Sequence, residues 1–145
     1  MKSLSGSFLL LVVVSLVGLS GCASMEGKQA KTLYHINEGN DQAANGLRNA
    51  RNHLTADPST HLIFVAHSKG IDFLLDGAKD KNGNAYAALV DDLVAKGVEF
   101  RVCENTLQSR KIEKDKVITN VTIVPSGVAE IGRLQNKEGY AYFKP

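Results

Sequence analysis

The chain has 145 residues, 43% of them hydrophobic and 22% charged, with 17 basic against 15 acidic side chains, two cysteines and no tryptophan. That balance excludes an intrinsically disordered chain, which would be poorer in apolar residues and more lopsided in charge. A formal net charge of +2 gives no large field to draw in phosphates, so no nucleic-acid partner is expected. Two cysteines cannot build the multi-disulfide framework of small secreted scaffolds, and the length allows one domain.

The chain opens on Met1-Lys2, runs through the 12-residue apolar stretch Phe8–Leu19, and reaches Ser20-Gly21-Cys22. A helix needs about 20 apolar residues to span a bilayer, so this stretch is too short to cross one. A basic start, a short apolar core and small residues before a cut site describe a secretory signal. Leu19-Ser20-Gly21-Cys22 resembles the lipobox of bacterial lipoproteins, which implies that Cys22 carries a diacylglycerol and becomes the first residue. The expected layout is a lipoprotein signal peptide over 1–21, a lipidated tether over 22–30 and an α/β domain over 31–145. Acyl chains anchor a protein to a membrane face, each buried methylene contributing about 0.8 kcal/mol. Ala23 follows the cysteine where an aspartate would signal inner-membrane retention, so the expected location is periplasm-facing, at the outer membrane. Cleavage would remove one lysine and leave 16 basic against 15 acidic groups, with Cys103 the domain's one thiol.

Within the domain, Lys31–Ile36 reads as a strand followed by the turn-prone Asn37-Glu38-Gly39-Asn40. Asp41 is placed to cap a helix through about Ala56, with Ala43, Leu47, Ala50 and Leu54 on one face. Asp57-Pro58 ends it, because the residue before proline avoids the helical region. His61–Ala66 is a continuous apolar run, as expected of a strand covered on both faces. Ile71–Asp76 predicts a short helix stopped by Gly77. Asn84 is placed to cap a helix to Lys96 with Ala88, Leu89, Leu93 and Val94 buried, and Gly97 as its stop. Val98–Val102 is a third strand, Cys103 to about Arg110 a polar loop or short helix, and Val121–Val124 a fourth strand ended by Pro125. Ser126 is placed to cap a helix bearing Val128, Ile131 and Leu134, before Gly139 and a last strand, Tyr140–Phe143. Strands alternating with amphipathic helices predict a three-layer α/β fold, a mostly parallel five-stranded sheet with helices on both faces.

In parallel sheets, ligands bind beyond the carboxyl ends of the strands. Those ends carry Asn37, His67, Cys103 and Pro125-Ser126-Gly127. Cys103 is the strong nucleophile among them. A helix opening at Glu104-Asn105-Thr106 would turn free backbone N–H groups toward its sulfur and favour the thiolate. Arg110 and Lys111 would lie one or two turns away, and Glu104 opposes them as an adjacent like charge. The competing reading is a small buried hydrophobe at a strand end. His67 fits a general acid/base or a satisfied turn residue. His35, His53 and His61 share no metal-ligand spacing, so no metal is expected. Ser126 lies outside a Gly-x-Ser-x-Gly elbow and reads best as a helix cap. No glycine-rich nucleotide motif follows any strand, so no cofactor is expected.

Several segments together resemble the DsrE/DsrF-like sulfur-relay family, in its branch of small DsrE-like proteins. They are Tyr34-His35-Ile36-Asn37, His67-Ser68-Lys69-Gly70-Ile71, Gly97-Val98-Glu99-Phe100-Arg101-Val102-Cys103-Glu104-Asn105-Thr106-Leu107, and Val124-Pro125-Ser126-Gly127-Val128-Ala129-Glu130-Ile131. Leu134-Gln135 and Gly139-Tyr140-Ala141-Tyr142 extend the match, which covers Thr32–Pro145. The resemblance implies a DsrE-like, flavodoxin-like α/β fold, homo-oligomers, and a cysteine that carries sulfur as a persulfide. It places Cys103 where active members hold theirs, with Asn37, His67, Asn105, Thr106, Arg110, Ser126 and Gly127 as candidate binding residues. With no second thiol in the mature domain, an accepting or donating thiol or persulfide must come from a protein partner. The alternative is a non-catalytic periplasmic lipoprotein holding a small ligand or protein partner in the same crevice.

Overall fold

The computed structural model describes residues 29–145; the expected signal segment 1–21, Cys22 and the expected tether up to Lys28 lie outside the described residues. Five strands form one sheet: β1 (Lys31–Ile36), β2 (His61–Ala66), β3 (Glu99–Cys103), β4 (Thr122–Val124) and β5 (Ala141–Phe143). Their order is β4-β3-β2-β1-β5, and every neighbouring pair is parallel. Four α-helices connect them: α1 (Asn40–Ala56), α2 (Tyr86–Val94), α3 (Glu104–Ser109) and α4 (Gly127–Glu138). Two 3-10 turns, Ser68–Leu74 and Lys114–Lys116, complete the connections.

The strand order decides where the helices go. From β1 to β4 the chain steps across the sheet in one direction, and then β5 returns to the far side of β1. Parallel crossovers are right-handed, so reversing the direction of travel moves the connection to the opposite face. One face accordingly carries α1, the first 3-10 turn and α2, packed on Tyr34, Ile36, Leu62, Phe64, Phe100 and Val102, with Leu107 of α3 joining the same cluster. The other carries α4, whose Leu134 and Ile131 meet Leu33, Ile63, Val65 and Tyr140. Residues one apart on a strand point to opposite faces, which is why Leu33 and Tyr34 belong to different clusters. Phe64 stacks between Tyr34 and Phe100, at 4.8 and 4.7 Å between ring centroids.

Several local expectations need correction. Gly39, at φ 111° and ψ −163°, precedes α1 in a conformation reserved for glycine. The helix therefore starts at Asn40, and Asp41 does not cap it but pairs with Lys81 at 2.9 Å. The helix expected over Ile71–Asp76 is the 3-10 turn Ser68–Leu74, drawn forward because Gly70 must pass against the backbone of β1. A Cβ on Gly70 would lie 2.2 Å from the Ile36 carbonyl oxygen. In α2 the buried residues are Tyr86, Val90 and Leu93, whereas Ala88 faces out. That helix starts after Ala85, not at Asn84, whose side chain bonds Asp80 instead. At α4 the Ser126 hydroxyl oxygen accepts from the Ala129 N–H, and Gly139 closes the helix in the left-handed conformation at φ 74°. Val128 in the same helix is 66% exposed.

Candidate functional site

Cys103 ends β3 and pairs with Val124 at the end of β4. From these adjacent ends the chain leaves in opposite directions, into α3 on one face and α4 on the other. Such a divergence opens a crevice at the carboxyl edge of a parallel sheet, where ligands of these folds bind. Cys103 stands at this edge, at the start of α3 and beside Gly127 at the start of α4. The residue is 6% exposed and forms no disulfide.

The sulfur is buried but not in apolar surroundings. Burial alone pushes the thiol pKa up, since it disfavours the charged form. The neighbouring Thr106 hydroxyl and the backbone N–H groups of Gly127, Thr106 and Asn105 favour the thiolate and outweigh burial, so the pKa lies below that of an ordinary cysteine. The Asn105 N–H donates to the Pro125 carbonyl oxygen at 3.3 Å, which ties the start of α3 to the loop after β4. Glycine at 127 eases this approach. A Cβ there would lie 3.2 Å from the Cys103 Cβ and 3.1 Å from the His67 Cβ. The same contact shows that His67 and Cys103 flank one backbone position.

Thr106 is itself held from the neighbouring loop. Its Oγ1 accepts from the Ser68 N–H at 3.0 Å. Ser68 stands at φ 54°, in the left-handed region that side chains other than glycine seldom enter. His67 Nδ1 is 2.9 Å from Ser68 Oγ, and His67 Nε2 is 2.7 Å from His35 Nε2. The two imidazoles stack with centroids 4.8 Å apart. His35 Nδ1 in turn meets the Tyr142 hydroxyl at 2.6 Å. Burial and the neighbouring His67, with Lys144 adding to both, hold His35 down to about pH 4. Burial and Lys144 lower His67 as well. Both shifts favour neutral rings at pH 7, and the 2.7 Å contact requires that one of the facing Nε2 atoms carry a proton and the other accept it.

Among the residues expected at the site, the fold brings together Cys103, Asn105, Thr106, Gly127 and His67. Ser126 serves as the α4 cap. Arg110 does not reach the sulfur: its Nη1 lies 2.6 Å from Asp72 Oδ1 and 3.1 Å from the Ser68 carbonyl oxygen, so it clamps the histidine loop to α3. Glu104, the adjacent opposing charge, is neutralised by Lys114 at 2.5 Å. Asn37 is two strands away from Cys103, at the end of β1, where its N–H donates to Gln42 Oε1 and its own Oδ1 is buried without a partner. Sequence reasoning missed His35, Ser68 and Tyr142. The signal for His35 was its place one residue before the end of β1, on the same face as His67.

Two surface hollows lie near the described carboxyl-side loops, one of about 500 Å³ beside α3 and one of about 350 Å³ between α1 and the Asp80–Asn82 turn, and Cys103 lines neither. Among the described residues, no group of three or more His, Cys, Asp or Glu side chains is arranged to hold a metal ion.

The model of the DsrE/DsrF-like family matches residues 30–145. Among solved structures, protein MTH1491 of Methanobacterium thermoautotrophicum, described as of unknown function, is 30% identical with a TM-score of 0.73. The match covers 81% of this chain and 100% of that one. The ychN protein from E. coli shares the fold at 19% identity and a TM-score of 0.63, over 80% of this chain and 100% of its own. A comparison with curated proteins found no significant match.

Proposed function

The chain belongs to the DsrE/DsrF-like family, and from that premise we propose that it carries sulfane sulfur as a persulfide on Cys103. The observation that supports this most is the setting of one buried sulfur between the Thr106 hydroxyl and the backbone N–H groups at the starts of α3 and α4, which lower its pKa against burial. A thiol used only as a small hydrophobe needs no donors, whereas a thiolate or a persulfide anion does. The Cys103 thiolate attacks the outer sulfur of a donor persulfide, R–S–SH. A new S–S bond forms to Cys103, the donor's S–S bond breaks, and R–S⁻ leaves with the electron pair. In the second half an acceptor thiolate takes the outer sulfur, and Cys103 departs as a thiolate stabilised by the same groups.

Cys103 is the free cysteine among the described residues, so donor and acceptor thiols come from partners. Its position at a rim, outside the two hollows, favours a protein partner over an enclosed small molecule. We place this carrier on the periplasmic side of a membrane, anchored through Cys22, and as a homo-oligomer. The lipobox-like Leu19–Cys22 supports the anchor. Tyr142 and Phe143 on the edge strand β5, 44% and 38% exposed, support self-association. The test is loading with a low-molecular-weight persulfide: wild type should gain sulfane sulfur and Cys103→Ser should not.

A further inference from the structure

We propose that the chain meets the bilayer with the amino-terminal edge of its sheet, so that Cys103 receives its protein partners from the aqueous side. This rests on the lipid anchor at Cys22 and not on the sulfur chemistry. The anchoring segment enters the fold at a fixed place. Gln29 Nε2 donates to the Ser59 carbonyl oxygen at 2.8 Å. The Ala30 carbonyl oxygen accepts from the His61 N–H at 2.7 Å and from the Thr60 hydroxyl at 3.2 Å. Residues 29 and 30 are thereby pinned where β1 and β2 both begin. Cys103 stands at the opposite edge. The register pairs Ala66 with Ile36 on one side and Val102 on the other, so Cys103 is level with Asn37, eight residues beyond Gln29. At about 3.3 Å per residue, the thiol lies roughly 26 Å from Gln29 along the strands.

From Cys22 to Gln29 the chain takes seven peptide steps, which span at most about 25 Å. With the thiol edge laid on the bilayer, a straight and fully extended tether would only just match the height of Gln29. It would also have to run outward before descending, because β1 and β2 are interior strands in the order β4-β3-β2-β1-β5 and both faces carry helices. A helix adds about 10 Å to that detour, which puts this orientation out of reach. The amino-terminal edge, with the turns 57–60, 95–98 and 139–140, sits beside the tether's exit. The large apolar side chains exposed among the described residues are Val128, Tyr142 and Phe143, and none belongs to these turns. That edge therefore rests on headgroups without inserting into the acyl layer. Val128, 66% exposed, lies instead at the thiol edge, next to Gly127, whose backbone stands against Cys103. The thiol edge thus offers an apolar contact to a protein in the aqueous phase.

The test uses the lipidated chain in dilute vesicles, carrying either Ser59→Cys or Val128→Cys in a Cys103→Ser background. Both positions are exposed, one at each edge, and neither depends on the reactivity of Cys103. Each variant is offered a water-soluble maleimide, or a maleimide on the phosphatidylethanolamine headgroup of the same vesicles. Rates with the soluble reagent correct for local reactivity. After that correction the tethered reagent should modify Ser59→Cys at least about tenfold faster than Val128→Cys, because a link too short to span two sites gives almost no effective concentration. Inserting about 20 Gly and Ser residues after Ser24 should erase the difference, since such a linker reaches every side of the domain. Equal corrected rates without the insertion, or a difference that survives it, overturn the orientation and leave the anchor standing. A chain that does not float with the vesicles removes the anchor and the orientation with it. Neither result bears on persulfide loading at Cys103.

Discussion

At the residue scale, the account depends on how a buried sulfur is kept ionisable. Burial opposes the thiolate, and the Thr106 hydroxyl with the backbone N–H groups of Gly127, Thr106 and Asn105 outweighs it. Of these, the Thr106 hydroxyl is the donor that a substitution removes without disturbing the backbone. Thr106→Val keeps the shape, deletes the donor and leaves the Ser68 N–H unpaired. The thiol pKa should rise, and the rate of alkylation at pH 7 should fall several-fold, by about one order of magnitude per 1.4 kcal/mol of lost thiolate stabilisation. Thiolate ultraviolet absorbance against pH measures the first effect, and iodoacetamide kinetics the second. The histidines give a prediction of stability. His35 takes up its proton near pH 4 in the fold, against about 6.5 in an unfolded chain. The unfolded state thus binds more protons between those values, and stability falls as pH drops from about 6.5 to 4. His35→Asn should flatten that part of the thermal-unfolding profile, leaving the smaller share due to His67.

Cys103 and the segments around it were legible in the sequence because a nucleophile at a strand end stands out in one dimension. The helix-opening argument also anticipated the Asn105 and Thr106 N–H groups. What could not be read was the partner geometry. His35 and Tyr142 are 107 residues apart and meet because β5 returns to pair with β1. Arg110 was placed near the sulfur by helical spacing, but Asp72, across the loop, takes it.

At the scale of elements, α4 is fixed to its face by charge as much as by its short apolar stripe. Glu130, buried beneath it, accepts from Arg101 of β3 and from Arg133 of its own helix. Arg101 also bonds Glu99, which meets His61 Nε2 at 3.1 Å. The Arg133 hydrogen bonds hold the Glu130 pKa down against its burial, with Arg101 assisting. Glu130→Gln leaves Arg101 with Glu99 alone. Removing one partner of a buried pair costs about 3–5 kcal/mol; with one partner remaining, about 2 kcal/mol is expected in chemical denaturation. The wild-type contribution is complete above the ordinary glutamate pKa and is lost as pH falls below it, so the difference between variant and wild type should narrow in acid. This network explains why the sequence reading of α4 was only partly right. Periodicity placed Val128 with Ile131 and Leu134, but Val128 is largely exposed while Glu130 is buried in ion pairs. Hydrophobic pattern alone does not reveal a buried carboxylate.

At the scale of the molecule, topology makes the site. Alternating apolar strands and amphipathic helices were sufficient to predict a layered, mostly parallel sheet. The strand order was not, because each crossover has the same local signature whichever strand it reaches. Order β4-β3-β2-β1-β5 has two consequences. It parts the chain between β3 and β4, where Cys103 and Gly127 meet. It also sets β5 at an edge, where Tyr142 closes the hydrogen-bonded chain to His67. In the proposed carrier, this topology sets the one described thiol at the sheet edge, from which sulfur would pass to another molecule.

The most direct measurement is the intact mass of the protein after incubation with a low-molecular-weight persulfide and removal of excess reagent. The account predicts a gain of one sulfur atom, released by a thiol acceptor and absent in Cys103→Ser. An unchanged wild-type mass, or the same gain in Cys103→Ser, would contradict it.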